Sequence, residues 1–213
     1  MEQREPYLRI WNALASEKPM IFLSGPRQSG KTTLAGLVAN QFPNHLYCNW
    51  DIPSHQSRLI ENPAFFSEIP RHDASKPLVV FDEIHKYRNW KNYLKGAYDE
   101  FRNDYQFLVT GSGRLDLFQK GGDSLAGRYL QFQIWPLTIG ELGQANREMD
   151  AFLSNALVVS LDRQEELAAM WERLEMVSGF PEPYLNGRIV SYRRWSATYG
   201  QRIVREDIRD MTG

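Results

Sequence analysis

Short apolar runs alternate with longer stretches of helical spacing through most of the chain. Met20 to Leu23, Leu46 to Trp50, Leu78 to Phe81 and Phe107 to Thr110 are compact and mostly apolar, as buried strands are. Leu130, Phe132 and Ile134 alternate with Gln131 and Gln133, the period-two pattern of a half-buried fifth strand, and Pro136 ends it. Between the strands the period changes. Leu8, Trp11, Leu14 and Ala15 share one side of a helix that Pro6 can start and Lys18-Pro19 stops. Leu34, Leu37, Val38 and Phe42 mark a second helix that runs to Pro43, and Trp90, Leu94, Ala97, Tyr98 and Phe101 mark a third. Strands alternating with helices predict βαβ units, hence an α/β fold with a five-stranded parallel sheet and helices on both faces.

After about Leu142 the texture changes. Residues 141–182 hold nine acidic and three basic side chains, and Leu167, Met170, Trp171, Leu174 and Val177 fall at helical spacing. From Arg188 onward there are six arginines and three acids. This pattern predicts two regions, a core over residues 1–142 and a helical extension over 143–213. Across all 213 residues, 25 lysines and arginines against 26 acids leave a net charge of −1, which disfavours a whole-chain electrostatic grip on nucleic acid or anionic membrane. No apolar run is long enough to span a bilayer, and no basic segment followed by an apolar stretch opens the chain, so a cytoplasmic location is expected. Cys48, the single cysteine, excludes an internal disulfide and reads as a buried small hydrophobe. The four histidines show no metal-ligand spacing, so no zinc is assigned.

The chemistry starts at Gly25-Pro26-Arg27-Gln28-Ser29-Gly30-Lys31-Thr32, a full match to GxxxxGK[ST] between a strand and a helix. Glycines let such a loop curl so that successive N–H groups point inward at a phosphate, and the helix N-terminus adds to the attraction. Lys31 would reach the β- and γ-phosphates, the Thr32 hydroxyl would ligate Mg²⁺, and Thr33 completes the nucleotide-binding stretch. Leu78 to Phe81 leaves Asp82 and Glu83 at a strand's carboxyl end, where open α/β sheets bind ligands. Asp82 suits holding Mg²⁺, directly or through water, and Glu83 suits orienting and deprotonating an attacking water. A complete strand–helix unit separates these acids from Lys31, which suggests the P-loop ATPases whose Walker B strand is not the next strand in sequence. No Asn/Thr-Lys-x-Asp segment that would read guanine follows, which favours ATP.

Two further side chains are candidates. Ser112, in Thr110-Gly111-Ser112, would face the γ-phosphate if the fourth strand lies between the P-loop and Walker B strands, as would Thr110; a capping or turn hydroxyl is the competing reading. Arg128 opens the fifth strand and could stabilise phosphoryl charge, or it could form a surface ion pair.

Gly25 to Leu34, Phe81-Asp82-Glu83-Ile84-His85-Lys86 followed by Trp90, and Thr110-Gly111-Ser112 resemble a bacterial and archaeal AAA-type P-loop ATPase family. Leu125-Ala126-Gly127-Arg128 and Pro136-Leu137-Thr138 with Glu141 extend the likeness. The family's C-terminal domain of unknown function is largely absent here; Ser178 to Pro181 and Trp195 to Ile208 look like its beginning. The resemblance implies a core of AAA/ASCE type, places Lys31, Thr32, Asp82 and Glu83 in the roles above, and offers a sensor-like role for Ser112 and an arginine-finger role for Arg128. The expectation is an ATPase using ATP and Mg²⁺ to drive or reset a conformational change, with a homo-oligomer and a protein or nucleic acid as candidate partners. The alternative is a slow nucleotide-dependent switch or a DNA-associated regulator without high turnover. Asp82-Glu83-Ile84-His85 also mimics a helicase box, but such helicases need a second motor domain that 213 residues do not hold. Arginines beside Tyr192, Trp195 and Tyr199 could touch nucleic acid; an amphipathic helix with a solvated basic face is the shorter explanation.

Overall fold

The computed structural model describes residues 4–111, 125–143 and 163–203. They fall into two compact units, Met1–Trp135 and Pro136–Gly213. In the first, β1 (Met20–Ser24), β2 (His45–Asn49), β3 (Leu78–Asp82), β4 (Gln106–Thr110) and β5 (Leu130–Gln133) form one sheet, every pair parallel, in the order β2-β3-β4-β1-β5. β4 therefore does lie between the P-loop strand and the strand that carries Asp82.

Parallel strands buried on both faces have apolar residues at nearly every position, and β1, β3 and β4 are buried at all five. Alternate side chains go to opposite faces. Phe22, Val79, Phe81, Phe107 and Val109 pack on one face with Leu59 of α3 (Pro53–Glu61) and Leu94 of α4 (Trp90–Phe101). Ile21, Leu23, Leu78, Val80 and Leu108 pack on the other with Leu8 and Trp11 of α1 (Glu5–Glu17) and with Leu34 and Val38 of α2 (Lys31–Ala39). At β5 the expected alternation appears: Phe132 and Ile134 are buried, and Gln131 and Gln133 stay half-exposed. Helix α3 is not predicted by the apolar pattern, because Leu59 is its only buried residue; Pro53 at its first turn is its one local signal.

The second unit contains α5 (Ile139–Leu142), α6 (Gln164–Val177), α7 (Pro181–Asn186) and α8 (Ile189–Arg202). The Thr138 hydroxyl caps α5 by accepting from the Glu141 N–H at 3.2 Å. Leu142, Val177 and Tyr184 form a small core, flanked by Leu137, Met170, Leu174 and Tyr192. The predicted stripe on α6 is narrower than its sequence spacing suggests. Met170, Leu174 and Val177 follow one line of the helix, whereas Trp171 sits a further 100° or so round and is 53% exposed. Among the described residues no helix is long and apolar enough to cross a membrane.

Candidate functional site

The P-loop follows β1 and leads into α2. Gly25 has φ of 149°, and a Cβ there would lie 2.3 Å from the carbonyl oxygen of Ile134, so the loop can leave the strand this way only without a side chain. Gly30, at φ 97°, turns the chain into α2, which starts with no capping side chain. Its first-turn N–H groups are thus not committed to a cap, the arrangement that receives an anion. The buried Ser29 hydroxyl donates to the Pro26 carbonyl at 2.8 Å and staples the loop across its middle. Gln28 and Thr33 are exposed and Arg27 is half-buried. Lys31 is buried, and its ammonium donates to the carbonyls of Gly25 and Pro26 at 2.9 and 2.8 Å. The loop is also braced from outside. The buried Arg4 guanidinium donates to the carbonyls of Ser29 and Trp135, both at 2.7 Å.

Asp82 is fully buried at the end of β3. A carboxylate removed from water needs donors, and the strand order supplies them. From β2 on one side, the Tyr47 hydroxyl donates to Oδ2 at 2.6 Å and the Asn49 amide at 3.3 Å. From β4 on the other side, the Thr110 hydroxyl donates to Oδ1. From α2, the Thr32 hydroxyl donates to Oδ2 at 3.0 Å. Burial first, and then the neighbouring Asp82 charge, push the Tyr47 phenol well above its ordinary pKa, which keeps it a donor. A hydroxyl and a carboxylate at this separation are hard oxygen ligands, the set that Mg²⁺ combines with phosphate oxygens, so these residues fit the metal.

Glu83 faces different neighbours. It adopts a left-handed backbone, φ 57°, and its N–H donates to the Thr110 hydroxyl at 3.4 Å. Its Oε2 lies 3.3 Å from the Lys86 ammonium and 3.8 Å from His85 Nε2. Asp82, Thr32 and Glu83 are therefore gathered at the carboxyl end of the sheet, the end at which β1 delivers the P-loop.

Arg128 is not gathered there. It precedes β5, whose Leu130 pairs with Ile21 near the start of β1, and Lys18 donates to the adjacent Gly127 carbonyl at 2.6 Å. That is the amino-terminal rim of the sheet, at its β5 edge. There Arg128 pairs bidentately with Asp99 of α4 at 2.8 and 3.1 Å, the ion pair that the sequence offers as its alternative role. Ser112 lies outside the described residues. Arg4, Tyr47 and Asn49 have no site role in the sequence reading, and Lys86 enters it only within the motif that follows Asp82 and Glu83. Tyr47 and Asn49 carried a usable signal: they are two apart on a strand next to an acid-tipped one, so they share a face near its carboxyl end. Arg4 carried none. Cys48 is buried as expected, which pushes its thiol up to about 11.

A family model described as AAA domain matches residues 17–143. Uncharacterized proteins of Mycobacterium tuberculosis and Mycobacterium bovis are each 29% identical over 174 residues. The match takes in 80% of this chain and 37% of each relative, so the chain spans little more than a third of their length. Two solved structures share the fold. The Walker-type ATPase PABY2304 of Pyrococcus abyssi is 17% identical with a TM-score of 0.54, over 100% of this chain and 76% of its own. The Hsp104–ADP complex of S. cerevisiae is 12% identical with a TM-score of 0.53, over 98% of this chain and 33% of its own. The family match covers the P-loop, the Asp82 strand and the whole five-stranded sheet, and the chain belongs to the AAA domain family, with the fold of an AAA-type P-loop ATPase.

Proposed function

We propose that this chain binds ATP with Mg²⁺ and hydrolyses it to drive or reset a conformational change. A P-loop fold of the AAA family implies ATP binding and hydrolysis. The observation that carries the finer reading is the contact of the Thr32 hydroxyl with the buried Asp82 carboxylate, 3.0 Å apart at the uncapped start of α2 and beside Lys31. Residues 25 to 33 hold the nucleotide's phosphates. Lys31 already donates to two neutral carbonyls, and a phosphate is the stronger acceptor because of its charge. Thr32 and Asp82 hold Mg²⁺, which when bound neutralises charge on the phosphate oxygens. Glu83 takes the proton of the attacking water. Ser112, outside the described residues, takes the sensor-like role that the resemblance offers, positioning water near the γ-phosphate. Arg128, at the far rim of its own sheet, serves the site of a neighbouring copy in a homo-oligomer.

Glu83→Gln and Asp82→Asn test the division of labour. Glu83→Gln keeps ATP affinity, measured by calorimetry, and loses about 10²–10⁴ in turnover, the range for a general base. Asp82→Asn shifts the Mg²⁺ dependence itself. Turnover at the wild-type rate in Glu83→Gln would remove Glu83 from its role. A slow nucleotide-dependent switch is a second reading, favoured by the engagement of Glu83 with Lys86.

A further inference from the structure

Lys86 stands between two carboxylates that come from different elements. It follows β3 in a short 3₁₀ turn, Ile84–Lys86, and its ammonium lies 2.7 Å from each oxygen of Asp51. The same nitrogen is 3.3 Å from Glu83 Oε2. An ammonium has three protons, so both contacts can be held at once, the shorter pair to Asp51 and the longer to Glu83. Burial works against the charge on Lys86, but the hydrogen bond to Asp51 and the charge of Glu83 outweigh it, and the ammonium holds its proton more firmly than usual.

Asp51 is itself tied to the metal side of the site. Its N–H donates to the Asn49 carbonyl oxygen Oδ1 at 2.8 Å, while the amide nitrogen of the same Asn49 reaches Asp82. Side-chain exposures of 32% for Lys86, 19% for Glu83 and 52% for Asp51 mean that water competes at all three groups. The partition between the two carboxylates is therefore soft, and shifts of severalfold are the scale to expect.

We propose that Lys86 is a positioning residue that holds Glu83 in a resting pose, and that Asp51 sets how strongly it does so. This rests on Glu83 being the general base. The ammonium on Oε2 fixes the direction in which the carboxylate points, so Glu83 turns its oxygens toward an attacking water more freely once released from Lys86. Asp51, by taking two of the three ammonium protons, loosens that hold.

The test compares steady-state ATPase rates of the full chain and its variants. Lys86→Met raises kcat about two- to fivefold at unchanged KM, and Lys86→Arg, which keeps the charge, stays near wild type. Asp51→Asn, an exposed and nearly isosteric change, lowers kcat by a similar factor. Asp51→Asn added to Lys86→Met has no further effect, because the group it acts through is gone. Lys86→Met no faster than wild type, or Asp51→Asn equally slow with and without Lys86, overturns the proposal. Should Lys86→Met fail to fold, as judged by its thermal melt, Asp51→Asn decides alone: a rate no lower than wild type overturns it. Glu83→Gln separates the two readings. Wild-type turnover there removes the base and this proposal with it, whereas an inactive Glu83→Gln beside an unaccelerated Lys86→Met removes only the role of Lys86.

Discussion

Removing one oxygen atom, in Tyr47→Phe, probes the cradle of Asp82 without changing its charge. The Tyr47 hydroxyl donates to Asp82 Oδ2 at 2.6 Å, while Thr32, Asn49 and Thr110 donate to the same carboxylate. A hydrogen bond to a charged acceptor is worth about 1.5–3 kcal/mol net. Three donors remain and the ring keeps its packing, so a loss of about 1–2 kcal/mol is expected, or roughly 3–6 °C in melting temperature for a chain of this size. The carboxylate also loses a rotational constraint, so the Mg²⁺ concentration for half-maximal ATPase activity rises about three- to tenfold. Urea unfolding across pH gives a second signature. Tyr47 has its pKa raised in the folded state, so its contribution is whole below about pH 10, the unfolded value, and is lost as pH rises beyond it. The stability gap between wild type and Tyr47→Phe therefore narrows above pH 10. Tyr93, also raised by burial, is present in both proteins and cancels. An unchanged Mg²⁺ midpoint with no stability gap at neutral pH would refute the cradle argument, and a gap that stays constant through pH 11 or so would refute its assignment to the Tyr47–Asp82 bond.

Arg4→Ala removes the brace between the Ser29 and Trp135 carbonyls, and should cost about 2–3 kcal/mol by chemical denaturation while weakening ATP binding. Equal affinity in the variant would make Arg4 a stabiliser of the fold alone. Arg128→Ala mixed with Glu83→Gln should recover ATPase activity that neither has alone, since one interface of a mixed assembly then carries both intact groups. No recovery in mixtures shown by mass to co-assemble would make Arg128 a residue of its own chain alone, cis or structural, where it pairs with Asp99.

The sheet was legible because β1, β3 and β4 centre on apolar runs, β5 alternates and the intervening helices change period; β2, an edge strand with only Cys48 buried, carries the weakest pattern. Its strand order was open to inference only as a condition, namely that β4 lies between β1 and β3. The P-loop and the Asp82-Glu83 pair were legible because their chemistry is contiguous in sequence. What brings donors to Asp82 is not contiguous. Tyr47 and Thr110 lie on strands 35 and 28 residues away in opposite directions, and become neighbours only through the crossovers. Arg4 is further still from any pattern: a lone arginine ahead of a helix gives no sign that it will be buried against two carbonyls. Arg128 shows the opposite limit. Its motif identified a candidate, but only the parallel register reveals that the start of β5 lies at the far rim from the P-loop.

Asp82 and Glu83 are adjacent carboxylates with unlike surroundings, and the backbone is what separates them. Asp82 is the last residue of a buried strand, so its side chain stays in the sheet's register, between Asn49 of β2 and the β4 hydroxyl. Glu83 leaves the strand with φ 57°, a conformation that costs a non-glycine residue about 1 kcal/mol, and the turn swings its side chain toward His85 and Lys86. One acid is therefore fixed by neutral donors from three elements. The other is held by a cation on a half-exposed side chain, and such a hold can be released. Under the proposed function the immobile acid keeps hold of the metal while the movable one gates the proton transfer. The left-handed turn at Glu83 is what gives two consecutive acids these unlike surroundings.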